Sequence, residues 1–175
     1  MDEFSLADQN LLHDCTHFLV AEAEALDRGE FERWLAMLSC RIDYAVPVRV
    51  VHDRGHDFSG DAFFMKEDHG SLSLRVKRLA STFSWAEHPP TRTRRFVSNV
   101  RLSTPQARQN DAHERVAVSS NFAVFCYRGD ATAPTILTGE RRDVLVREDD
   151  RLKLAERVVL IDSTVIGLGS LSIFL

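Results

Sequence analysis

Guanidinium groups crowd one short stretch of this chain. Within WAEHPPTRTRRFVSNV, Trp85–Val100, the residues Arg92, Arg94 and Arg95 lie almost side by side, and Arg101 closes the run just beyond it. Planar guanidinium forks suit carboxylates and backbone carbonyls, and an aromatic such as Trp85 supplies an anchor. The chemistry this pattern serves is recognition of an anion or of another polypeptide. Pro89-Pro90 forbids helix and holds His88 extended, so the stretch reads as a rigid entry into a β-strand that continues through Phe96, Ser98 and Val100. The plainer alternative is a solvated strand end.

Other groups offer less. Cys15-Thr16-His17 has the form of half an iron–sulfur site built from two cysteines and two histidines. The second half needs Cys-x-x-His, and Cys40 is followed by Arg41-Ile42-Asp43. Core packing is the better reading of Cys15, since a buried free cysteine behaves as a small hydrophobe. His52 and His56, near Asp53, Asp57 and Asp61, resemble a two-histidine, one-carboxylate iron set. That spacing works on a helix, which Gly55 and Gly60 oppose, so a solvated loop is expected and no metal ligand is assigned. Candidates for proton transfer are Tyr44, Asp43, His69, His88 and Asn121, whose spacing fixes no mutual geometry. No nucleophile elbow, phosphate loop or dinucleotide fingerprint is present. No catalytic residue is assigned.

The elements that must position these groups belong to a chain of 175 residues, read as a single domain over 1–175. It is 44% hydrophobic and 27% charged, with a net charge of −4. These are ordinary values for a globular protein and disfavour nucleic acid and membrane surfaces as partners. The acidic start MDEFSLADQN lacks the apolar core of a signal peptide, and no apolar run approaches the ~20 residues of a membrane span. Cys15, Cys40 and Cys126 show no pairing logic, which points to a reducing cytoplasm.

Helical periodicity covers Ser5 to Leu26, where Ser5 or Asp8 is a candidate cap and Gly29 a stop. A shorter helix is expected over Glu30 to Leu38, burying Phe31, Trp34, Leu35 and Leu38. Ile42 to Val50 alternates as a half-buried strand, and Pro47 argues for an edge or a bulge. His52 to Asp68 reads as a long polar loop. Ser71 to Ala80 is helical again. Strands follow over Val116–Tyr127, Ile136–Arg147 and Leu152–Ile161, the last two joined by a tight turn at Glu148-Asp149-Asp150. The segment GLGSLSIFL, containing Phe174, is apolar to its last residue. This order gives an α+β fold in which a curved antiparallel sheet wraps around the N-terminal helices.

Six stretches then carry a resemblance: FLVAEAEALDRGEFERWLAML at Phe18–Leu38, IDYAVPV at Ile42–Val48, LRVKRLAS at Leu74–Ser81, the Trp85–Val100 stretch, VSSNFAVFCYR at Val118–Arg128 and GERRDVLVRED at Gly139–Asp149. In these the chain resembles the small (β) subunit of aromatic-ring-hydroxylating dioxygenases, the Rieske non-haem iron oxygenases. The likeness runs from about residue 8 onward, and WAE-x-PP-x-RTR-x-x-VSNV is its most specific part.

The resemblance implies a cone-shaped, cystatin-like α+β roll, similar to nuclear transport factor 2, scytalone dehydratase and ketosteroid isomerase. It also implies a non-catalytic subunit with no cofactor of its own. The Rieske 2Fe-2S cluster and the mononuclear non-haem iron are expected in a large (α) partner, which performs NADH-driven dihydroxylation of an aromatic ring. The small subunits are expected to form a homotrimer within an α3β3 assembly. On this reading Trp85, Arg92, Arg94, Arg95 and Phe174 are subunit-interface residues. Arg95 departs from the histidine expected there, and Arg41 from an expected acid. Kinship of fold does not transfer the isomerase or dehydratase activities. The alternatives are a stand-alone enzyme of that kind, or a small-ligand-binding homo-oligomer.

Overall fold

The computed structural model describes residues 6–52, 55–80, 91–103, 115–167 and 173–175. Helix α1, Leu6–Asp27, buries Cys15, Phe18, Leu19, Glu22, Ala23 and Leu26, which recur at three- and four-residue spacing along one face. It ends at Gly29, whose φ of 70° lets Gly29 N–H and Glu30 N–H reach back to the carbonyls of Leu26 and Ala25. Ser5, one of the expected caps, lies outside the described residues. The second helix, α2, is shorter than its apolar pattern suggested: it spans Phe31–Leu35, and Leu38 already opens strand β1, Leu38–His52.

The expected polar loop after His52 is instead a strand, β2, Gly55–Glu67, which folds back antiparallel on β1 from Tyr44↔Glu67 to His52↔Gly55. It lies at the edge of the sheet, where one side of the strand is solvated and polar residues such as Asp57 and Asp61 are tolerated. Pro47 sits at a break in the β1–β2 register on both sides, the bulge its missing N–H requires. Helix α3, His69–Ala80, then buries Leu72 and Val76.

Four strands complete the sheet: β3, Arg92–Ser103; β4, Arg115–Tyr127; β5, Thr135–Glu148; and β6, Arg151–Ile161. They form an antiparallel meander. The β5–β6 turn has Asp149 and Asp150 both at positive φ, 47° and 60°, as a two-residue hairpin matched to strand twist requires. The full order is β2-β1-β6-β5-β4-β3. The sheet is not purely antiparallel as expected, because β1 runs parallel to β6. Strand β4 alternates buried and half-buried along its whole length, so one face carries the core and the other lies open. The core fills the space between the inner face, α1, α2 and residues 173–175. No helix among the described residues is long and apolar enough to cross a membrane.

Candidate subunit interface and buried ion network

Strand β3 carries the arginines, and its alternation sorts them. Arg92, Arg94 and Phe96 point outward, whereas Thr93, Arg95 and Val97 turn inward. Asn99, at φ 51°, sits where the register with β4 shifts, so beyond it Val100 and Leu102 become the inward residues. A bulge of this kind re-aims every later side chain. It explains why Phe96, on the same phase as Val100 by simple counting, is 58% exposed.

Two of the expected interface residues are internal to this chain. The Arg95 side chain is only 2% exposed and pairs with Asp27 at 2.6 Å. Its backbone N–H also donates to that carboxylate, Thr93 Oγ1 donates to it at 2.9 Å, and its second terminal nitrogen donates to the Phe174 carbonyl at 2.6 Å. Arg95 therefore ties the end of α1 to β3. Phe174 is buried, with its ring 4.2 Å from that of Trp34. Trp85 and His88 lie outside the described residues.

Arg92 and Arg94 remain outward, and Arg92 donates to the Gly129 carbonyl at 3.2 Å. Beside them an open groove of about 400 Å³ runs between α1 and β3, lined by Val20, Ala23, Asp27, Arg28, Arg94 and Val97 among others. On the outer face Phe96 meets Phe125 edge-on, their centroids 5.7 Å apart, and Phe125 is the cross-strand partner of Ile136, itself 49% exposed. An apolar row flanked by guanidinium groups is the composition of a protein-recognition surface.

The interior holds a second, unforeseen constellation. Arg157 on β6 is fully enclosed and makes two-point contacts with both Glu22 on α1, at 2.6 and 2.8 Å, and Asp143 on β5, at 2.8 and 2.8 Å. Glu22 also accepts from the Trp34 indole at 3.0 Å. Arg141 lies 3.7 Å from Glu22 and 5.0 Å from the centre of the Phe122 ring, and none of its side-chain nitrogens makes a hydrogen bond. Two side-chain carboxylates thus face two guanidinium groups. Burial alone would raise the Glu22 pKa, but Arg157 and Arg141 outweigh it and hold the carboxyl below its ordinary value. Burial pushes Arg141 down to about 10, with the like charge of Arg157 adding to it. Burial likewise raises Tyr44, whose hydroxyl donates to the Leu175 carbonyl and accepts from the Leu175 N–H at 2.8 Å. Near neutral pH these groups hold fixed charge states. The arrangement is a lock rather than a proton relay.

The remaining candidates do not converge. Tyr44 faces inward, Asp43 is exposed, and Asn121 lies on the outer face opposite Ser98 and Glu140. His69 begins α3, half-buried. Cys15 is buried with its thiol pushed up to about 11 by that burial, while His17, two positions on, is exposed on another side of α1. A cluster ligand needs the thiolate and a converging histidine, so this pair does not fit one. His52 and His56 lie near the β1–β2 turn. Among the described residues no group of three or more His, Cys, Asp or Glu is placed to hold a metal.

The curved six-stranded sheet packed on helices defines the class, an α+β roll whose fold is shared with a scytalone dehydratase-like protein of Novosphingobium aromaticivorans, TM-score 0.62 at 13% identity, and with a protein of cystatin-like fold from Nostoc punctiforme, TM-score 0.56 at 12% identity. Among solved structures, a chain of naphthalene 1,2-dioxygenase with indole bound superposes with a TM-score of 0.82 at 24% identity, covering 96% of this chain and 87% of that one. The chain belongs to the ring hydroxylating beta subunit family, whose model matches residues 21–167. The benzene 1,2-dioxygenase subunit beta of Pseudomonas putida is 32% identical over 94% of this chain and 88% of its own length. The N,N-dimethyl phenylurea N-demethylase subunit beta of a Sphingobium species is 31% identical over 100% of this chain and 99% of its own.

Proposed function

We propose that this chain is the non-catalytic subunit of an NADH-dependent aromatic-ring-hydroxylating oxygenase, supporting a large α subunit that carries the Rieske cluster and the mononuclear iron. The observation that carries this reading is the outward row Arg92, Arg94 and Phe96 beside an open groove, on a chain of this family in which Arg157, Glu22 and Asp143 are already committed to one another. Arg92 and Arg94 meet carboxylates and carbonyls of the large subunit, and Phe96 packs beside them. Three copies assemble under three large subunits. An obligate contact of this kind buries over ~2,000 Å². The role is architectural, in the degradation of an aromatic compound.

Co-expression with the large subunit tests this. A red-brown complex whose mass fits three of each chain is the expected result. Turnover of substrate by the purified chain alone would replace the reading with a stand-alone enzyme of the same fold.

A further inference from the structure

Residues 173–175 lie inside the fold without being part of its sheet or helices. Ile173, Phe174 and Leu175 are 8%, 1% and 0% exposed. Among the described residues, the hydrogen bonds that hold their backbone come from side chains. Arg95 donates to the Phe174 carbonyl at 2.6 Å, and Arg157 donates to the Leu175 carbonyl at 3.2 Å. Tyr44 both donates to Leu175 and accepts from it. The Phe174 ring stacks at 4.2 Å on Trp34, meets the edge of Phe31 at 5.9 Å and lies under the Arg75 guanidinium at 5.9 Å.

This is how a protein holds a bound peptide. Charged and hydroxyl donors fix the main-chain oxygens, and an aromatic slot takes one ring. The donors come from β1, β3 and β6 and the slot from α2 and α3, so the receptor is assembled by elements other than the segment it grips. Glu22 and Asp143 orient Arg157 by two-point contacts that do not involve the segment. The seat is therefore organised by the rest of the chain.

We propose that the interior of this fold is a binding site for a short apolar peptide bearing an aromatic residue, and that residues 173–175 occupy it as an intramolecular ligand. The seat excludes free ligands of that class while the segment is in place, and accepts them when it is removed. This goes beyond the accessory role and does not depend on any partner subunit.

Deletion of residues 173–175 tests it, with N-acetyl-Phe-Leu-amide and 3-phenylpropanoate as probes that separate peptide from simple aryl acid. The shortened chain should gain roughly 3–5 °C in Tm at a peptide concentration about ten times its Kd, with Trp34 fluorescence changing in parallel. The full chain should show no shift, and the aryl acid a smaller one. Equal shifts in both chains, no shift in the shortened chain, or failure of that chain to fold even with peptide present would each overturn the proposal. Phe174→Ala provides a second reading, because it keeps the backbone anchors and empties only the slot. Toluene at millimolar concentration should raise the Tm of this variant and leave the native protein unchanged. An unchanged variant would overturn the claim that the slot accepts a free ring.

Discussion

Arg157 and Arg141 carry the same charge in the same core yet are held very differently. Arg157 is gripped by two carboxylates, and removing it leaves Glu22 and Asp143 buried without their partner. Arg157→Met should cost about 3–5 kcal/mol in urea unfolding. The Arg141 guanidinium makes no hydrogen bond, so Arg141→Met should cost clearly less, and equal losses would contradict the division of roles. Glu22 fixes the sign of the pH dependence. Its folded pKa lies below the ordinary 4.5, so its stabilisation is fully present above about pH 4.5 and is lost as pH falls through the folded value. Glu22→Gln should lower stability at pH 7 and flatten the acid limb of the stability curve. These residues were visible as a pattern: Glu22 falls on the buried stripe of α1, Arg141 and Asp143 on the inward phase of β5, and Arg157 on that of β6. A charge at a core phase signals a buried partner, but only the folded chain shows which one.

The strong periodicities named their own elements. Helix α1 and strands β4, β5 and β6 appear where three- and four-residue or two-residue spacing places them. Strand β2 was illegible because an edge strand need not alternate cleanly, and Asp57, Ser59 and Asp61 look like a loop. Alternation alone separates Arg95 from Arg92 and Arg94, but the bulge at Asn99 hid which of the two faces is the inner one, because counting back from Val100 puts Phe96, Arg94 and Arg92 inside. Two glycines make element-scale predictions. Gly29→Ala places a side chain at positive φ where α1 turns off and should cost about 1–2 kcal/mol. At Gly139 a Cβ would come within 2.2 Å of the Leu160 carbonyl oxygen on the neighbouring strand, so Gly139→Ala must push β5 from β6. A loss of about 1–3 kcal/mol in thermal unfolding is expected.

At the scale of the whole molecule, the account divides inside from outside. The interior is filled by the buried ion cluster and by residues 173–175, while Arg92, Arg94 and Phe96 face outward for a partner. Charge reversal at Arg92 and Arg94 together should weaken association with the large subunit by at least tenfold without changing the Tm of the isolated chain, because neither residue supports the core. Size-exclusion chromatography and calorimetry read the two effects separately. Reconstitution is the most direct test of the accessory role: the large subunit, its reductase and NADH are assayed on an aromatic substrate with and without this chain, and this chain is assayed alone. Product should form at full rate only when both subunits are present, and none should form with this chain alone. Conversion by the lone chain, or full activity of the large subunit without it, would contradict the account.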